Sequence, residues 1–211
     1  WFPAGLTLLA VVCWSGLRAQ EGPGGDYLRG PLIGFVHDRT WGLRPVLGIP
    51  GAATLGPAVL SRASFDQVAI APEGDYALAT LARGRRLAIV RDLSAAPEIS
   101  FLETPAGPER MALSPSGSAA VLYYGNPARV EVLTGLPSTP AAAWSADLPA
   151  VQAGLDALAV SDDATAVLYA AARQPSQVWL ATADAGQSFV LGLAAAPRVA
   201  FLIQSEDAAI A

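Results

Sequence analysis

Four stretches of the 211-residue chain align with one another. They are "VAIAPEGDYALATL" from Val68, "MALSPSGSAAVLYY" from Met111, "LAVSDDATAVLYAA" from Leu158 and "VAFLIQSEDAAIA" from Val199. The third apolar residue of each serves as an anchor: Ile70, Leu113, Val160 and Phe201, spaced 43, 47 and 41 residues apart. A repeat of this length is one supersecondary unit that cannot bury its apolar side alone and must stack on its neighbours. The period suits either a four-stranded sheet or a pair of helices and is too long for ankyrin or tetratricopeptide units.

Local chemistry decides between the two. Each of the first three units opens with a short apolar run and then turns, at Ala71-Pro72-Glu73-Gly74-Asp75, Ser114-Pro115-Ser116-Gly117 and Ser161-Asp162-Asp163-Ala164. Proline sets φ early in such a turn and glycine accepts the positive φ near its end. A second apolar run follows (77–82, 119–124 and 166–171), then a second turn at Arg83-Gly84-Arg85-Arg86, Gly125-Asn126-Pro127-Ala128 and Ala172-Arg173-Gln174-Pro175. Third runs "LAIV", "VEVL" and "VWLA" are short and rich in β-branched residues, and weaker fourth runs lie at 98–102, 142–146 and 188–191. Gly and Pro recur too often for long helices, and alanine's helix preference is a weak prior against these turns. The expectation is an all-β chain, a β-propeller built from four-stranded blades, with the anchor run as the innermost strand of each blade. A β-sandwich is the competitor, but it has no need of a recurring apolar-Ser-Pro-x-Gly unit.

Composition narrows the chemistry. Hydrophobic residues make up 53% of the chain, ample for a core, and charged residues only 15%. A net charge of -5 gives no basic footprint for nucleic acid. All 13 basic residues are Arg, so lysine Schiff bases and P-loop lysines are excluded within this sequence. Cys13 and His37 are the single Cys and His, which rules out an intrachain disulfide and a His/Cys zinc site and leaves His37 as the one histidine for a Ser-His-Asp triad.

Residues 1–19 read as a secretory signal: apolar from Leu6 to Trp14, too short to span a bilayer, with Ala19 before the cleavage point. A secreted or periplasmic protein with no membrane span after cleavage is the expectation. Cys13 follows Val12, where a lipoprotein would have a small residue, and reads as incidental. Residues 20–64 read as a β-hairpin, Leu32 to His37 and Leu43 to Leu47 around a loop at 38–42, followed by a Gly/Pro-rich loop at Gly48–Val59 with no dinucleotide fingerprint. Residues 65–211 are three full blades and one partial one. The start at Trp1 and the apolar run reaching Ala211 lead to the expectation that the sequence is a piece of a longer propeller, exposing an edge strand and open blade faces and prone to aggregate. The alternative is a small closed ring whose two ends share one blade.

The "ALSPSG" and "AIAPEGD" units resemble the SPDG signature of WD40-like and YVTN-type bacterial β-propellers, a resemblance covering Phe65 to Ala211. The third unit departs from it with Ser-Asp-Asp-Ala, the fourth lacks the turn motif, and the Trp-Asp and Gly-His dipeptides of eukaryotic units are missing. The stretch "GFVHDRTWGLRPVLGIPGAATLG" is similar to the opening of exported bacterial propellers of unassigned function.

Polar clusters are few. His37-Asp38-Arg39 beside Trp41 reads as a solvated hairpin tip rather than an acid–base pair, since a base needs an oriented partner and a pocket. Arg83, Arg85 and Arg86 read as a solvated turn, with anion binding as the alternative. Glu73 with Asp75, and Asp162 with Asp163, lack the spaced ligands of a calcium loop and read as turn chemistry. Tyr123, Tyr124, Tyr169 and Trp179 read as blade-packing aromatics. No catalytic, cofactor or metal residue is assigned. The functional expectation is a non-enzymatic scaffold presenting loops to a protein or carbohydrate partner. The alternative is a propeller lyase, hydrolase or quinone-dependent dehydrogenase relative whose active residues lie in other blades.

Overall fold

The computed structural model describes residues 30–38, 40–60, 65–83, 85–104, 107–149, 151, 154–171, 177–184 and 186–192. The leader with Cys13, Arg39, Gly84, the turn at 172–175 and the fourth repeat unit with Phe201 lie outside the described residues. The described residues hold no helix and fifteen strands in four antiparallel sheets.

An N-terminal sheet contains β1 (Leu32–Asp38), β2 (Gly42–Ile49) and β3 (Ala52–Leu55). Blade 1 contains β4 (Phe65–Ile70), β5 (Tyr76–Leu81), β6 (Leu87–Arg91) and β7 (Glu98–Phe101). Blade 2 contains β8 (Arg110–Leu113), β9 (Ala120–Gly125), β10 (Ala128–Thr134) and β11 (Ala141–Asp147). Blade 3 contains β12 (Leu155–Val160), β13 (Ala166–Ala171), β14 (Gln177–Thr182) and β15 (Gly186–Gly192). Within each sheet the strands lie in chain order. The first strands β4, β8 and β12 approach one another in succession, while β7 is exposed along its whole length. Ile70, Leu113 and Val160 thus end three equivalent innermost strands, and the fold is a set of propeller blades.

One difference concerns Gly48–Val59. The Gly/Pro loop contains β3, because Pro50-Gly51 closes a two-residue turn that sets Ile49 opposite Ala52. Gly51 takes φ 89°, the conformation a proline-glycine turn of this kind demands. The chain keeps pairing with β2 beyond β3, through Gly56 N–H to the Pro45 carbonyl (2.9 Å) and Val59 N–H to the Leu43 carbonyl (2.8 Å).

Side-chain alternation makes both faces of the middle strands apolar. In β9, Ala120, Leu122 and Tyr124 join Tyr76, Leu78, Leu87 and Ile89 of blade 1. Val121 and Tyr123 point the other way and join Val160, Val167, Tyr169 and Ala181 of blade 3. Ala77, Ala79 and Val90 of blade 1 pack against Phe35, Leu43 and Leu60 of the N-terminal region. Alanine at alternate positions lets the sheets approach closely, which is why residues of high helix propensity stand in strands here.

The first turn is built alike in all three blades. Ala71 N–H reaches the Tyr76 carbonyl, Ser114 N–H the Ala119 carbonyl and Ser161 N–H the Ala166 carbonyl, at 2.9, 2.9 and 3.0 Å. Gly74, Gly117 and Ala164 follow in the left-handed region at φ 71°, 76° and 59°. A residue one or two positions beyond each third strand then ties back to the turn: Leu93 to Asp75, Leu136 to Ser118 and Ala183 to Thr165.

Two substitutions test this packing by chemical denaturation. Leu122→Ala, at a fully buried position between two blades, lowers the unfolding free energy by about 2–5 kcal/mol. Gly117→Ala places a Cβ 3.3 Å from Pro72 Cδ at positive φ and costs about 1–2 kcal/mol. A loss below 1 kcal/mol for Leu122→Ala would contradict the two-sided burial.

Candidate functional site

Two surfaces collect polar chemistry: the face formed by the first turns, and the tip of the β1–β2 hairpin. On the turn face, side chains bond between blades with the period of the repeat. The Tyr76 hydroxyl donates to the Gly117 carbonyl. The Ser116 N–H and hydroxyl both donate to Asp162 Oδ1, at 2.8 and 2.6 Å, and the Ser118 hydroxyl donates to the Asp162 carbonyl at 3.1 Å. Elsewhere Gln67 Nε2 donates to the Glu109 carbonyl (2.6 Å), Arg110 Nη1 to the Asp156 carbonyl (3.0 Å) and Arg91 Nη2 to the Pro137 carbonyl (2.6 Å). These partners stand 41 to 46 residues apart, one blade in each case.

Burial works to raise the Asp162 carboxyl, but the Ser116 hydroxyl, the Ser116 N–H and the Ser114 hydroxyl outweigh it and hold the group below the usual carboxylate value. The Ser161 hydroxyl, followed by the Thr165 N–H, does the same for Asp163. The two carboxylates therefore serve separate turns. Asp162 spans two blades, and Asp163 braces its own turn through Ser161 and Thr165. Among the described residues no three His, Cys, Asp or Glu side chains converge on a common point for a metal ion.

At the hairpin tip, Asp38 Oδ1 accepts the N–H groups of Thr40 (2.6 Å) and Trp41 (3.0 Å). These bonds, Thr40's first, hold the Asp38 carboxyl low. This is an Asx turn, which fixes the loop without help from the core. His37 sits opposite Leu43 and Asp38 opposite Gly42 at the end of the β1–β2 ladder, and His37 adds the last of the influences that hold the Asp38 carboxyl low. The turn's product is the placement of Trp41, 65% exposed at the tip.

The three arginines of the second turn of blade 1 are all exposed. Arg86 lies over the Phe101 ring at 4.2 Å, and Arg85 Nη2 is 3.5 Å from the Pro108 carbonyl. Tyr123, Tyr124 and Tyr169 are buried in the blade interfaces, and Tyr169 stacks with Trp179 at 6.5 Å. Burial pushes the Tyr124 and Tyr169 phenols up to about 12, so both stay protonated at neutral pH.

One regularity was not drawn from the sequence. Asp66, Glu109 and Asp156 each lie four residues before an anchor and are exposed at the start of β4, on the approach to β8 and in β12. The aligned repeat contains this carboxylate; reading the units from their turns hides it.

No family model matches the chain, and no curated protein matches it. Solved structures do. A functionally unknown protein from Desulfotomaculum acetoxidans is similar over 82% of this chain and 56% of its own, with 18% identity and a TM-score of 0.50. A candidate 6-phosphogluconolactonase from Bacteroides uniformis is similar over 77% and 55%, with 16% identity and a TM-score of 0.51. A structure of a nidogen/laminin complex is similar over 78% and 64%, with 11% identity and a TM-score of 0.53. The likeness is one of fold, and the chain spans less than two thirds of each of these structures.

The Asp162 clasp makes a signed pH prediction. A carboxyl held low in the folded state contributes stability above its ordinary value, 3.8, and loses it as pH falls through the lower folded value. Asp162→Ala therefore costs about 1 kcal/mol at neutral pH, discounted for partial exposure. The gap to the parent closes on acidification below 3.8. Denaturant titrations of both proteins at several pH values check it; a gap that widens in acid would refute the clasp.

Proposed function

We propose that the protein is a non-catalytic β-propeller scaffold, acting outside the cytoplasm, that presents loops to a protein or carbohydrate partner. The observation that carries this reading is Trp41. A tryptophan exposed by 65% exposes a large apolar surface to water, and here a local turn anchored by Asp38 fixes its backbone in place. Rigid aromatics presented this way supply contact area at low entropic cost and stack on sugar rings or fill protein pockets. On the turn face, Ser116, Asp162, Ser161 and Asp163 are engaged in turn and blade-to-blade bonds, which suits a rigid platform. The leader-like residues 1–19 support export.

The test is a fluorescence and calorimetric titration of oligosaccharide and extracellular-protein panels against the parent, Trp41→Ala and Asp38→Ala. Trp41→Ala is expected to weaken binding at least tenfold while changing stability by no more than about 0.5 kcal/mol. Asp38→Ala, which frees the loop, weakens it less. Binding that survives Trp41→Ala intact overturns the assignment of the tip as the contact.

A further inference from the structure

We propose that the three arginines between β5 and β6, together with Phe101 and Ile99 of β7, form a docking strip for an acidic, extended protein segment. The sequence sets this turn apart from its counterpart in the repeat. Arg83, Arg85 and Arg86 stand together here, whereas the equivalent turn of blade 2, Gly125-Asn126-Pro127-Ala128, has no charge. The repeat therefore does not need arginine to close its second turn. Arg85 even takes φ 47°, a left-handed conformation that glycine, asparagine or aspartate adopts more readily.

The structure leaves these cations available. All three are exposed. Among the described residues none of them forms an ion pair with a carboxylate, although Glu98 opens β7 and Glu103 follows it. Two of the guanidiniums are positioned by neighbours: Arg86 by the Phe101 ring, 4.2 Å away, and Arg85 by the Pro108 carbonyl, 3.5 Å from its Nη2. A guanidinium stacked on a ring keeps its N–H edges free for a carboxylate, which it can take with two parallel hydrogen bonds.

The apolar half of the strip lies alongside. Phe101 pairs with Ala88 and Ile99 with Val90, so both side chains lie on one face of the sheet, with Phe101 nearer the arginines. Each is 45% exposed, and they are the two exposed large hydrophobics of the described residues that lie outside Leu32–Leu55. Guanidiniums followed at strand spacing by two apolar side chains match a segment with adjacent carboxylates and then aliphatic residues at alternate positions. Arg86 already covers a face of the Phe101 ring and Ile99 has no ring, so the strip suits aliphatic side chains better than a stacked sugar. Charge favours the same occupant. With a net charge of -5, the chain as a whole repels an acidic partner and directs it to a basic turn such as this. The strip is separate from the Trp41 tip and does not depend on what that loop binds.

The probe is the capped, fluorescently labelled peptide Glu-Glu-Ser-Leu-Ser-Leu, titrated with the full chain and followed by anisotropy. Saturable binding at low salt is expected, weakening about tenfold as ionic strength rises from about 0.02 M to about 0.3 M. Arg86→Glu weakens binding about tenfold, and Arg86→Lys weakens it less, since the charge stays while the fork is lost. Ile99→Ser weakens it about threefold. All three variants, at exposed positions, are expected to keep the parent's circular dichroism. A peptide with glutamine in place of glutamate does not bind. Absence of saturable binding overturns the proposal, as does equal binding of the glutamine peptide or binding that Arg86→Glu leaves unchanged. Tighter binding of oligogalacturonate than of the peptide also overturns it, because an acidic glycan would then be the occupant.

Discussion

Everything in this molecule depends on the burial of both faces of the middle strands. β5, β6, β9 and β13 are apolar above and below, and no single sheet can cover itself. Leu78, Ile89, Leu122 and Leu168 are fully buried, each contributing about 1.5–3 kcal/mol of transfer free energy. Without a neighbour, each such face would be exposed to water. The architecture follows as a stack of similar sheets, each half of a core completed by the next.

Polar groups follow the packing. Stacking repeated units places position n of one blade beside position n of the next, so a side chain that reaches a neighbour's backbone finds it about one period away in sequence. Gln67 with Glu109, Arg110 with Asp156 and Ser116 with Asp162 are three instances. Each bond satisfies a turn or strand-end carbonyl or carboxylate that would otherwise compete for water. The same logic extends to the N-terminal sheet, where Phe35 of β1 faces Gly74 in the first turn of blade 1 much as Tyr76 faces Gly117.

The fold was largely legible because turn chemistry and alternation act locally. Pro72-Glu73-Gly74 and Pro115-Ser116-Gly117 mark their turns through φ preferences alone, and the strand ends fall within a few residues of the apolar runs. β3 was missed because Ala52, Ala53 and Thr54 have no apolar period; the strand exists through pairing with β2, which the Pro50-Gly51 turn makes available. The site was less legible. Aromatics at Tyr123, Tyr124 and Tyr169 could be assigned to the core from the blade pattern. The role of Asp162 could not, because its partner Ser116 belongs to another unit and comes near only when blades stack.

The sequence by itself determined the repeat, the turn positions and the exclusion of lysine and disulfide chemistry, since these depend on residue identity and on spacing along the chain. Tertiary structure alone decided which carboxylates bridge blades and which side chains meet between sheets. Those outcomes depend on distances between residues more than forty positions apart, and only the stacking of sheets brings such residues within reach.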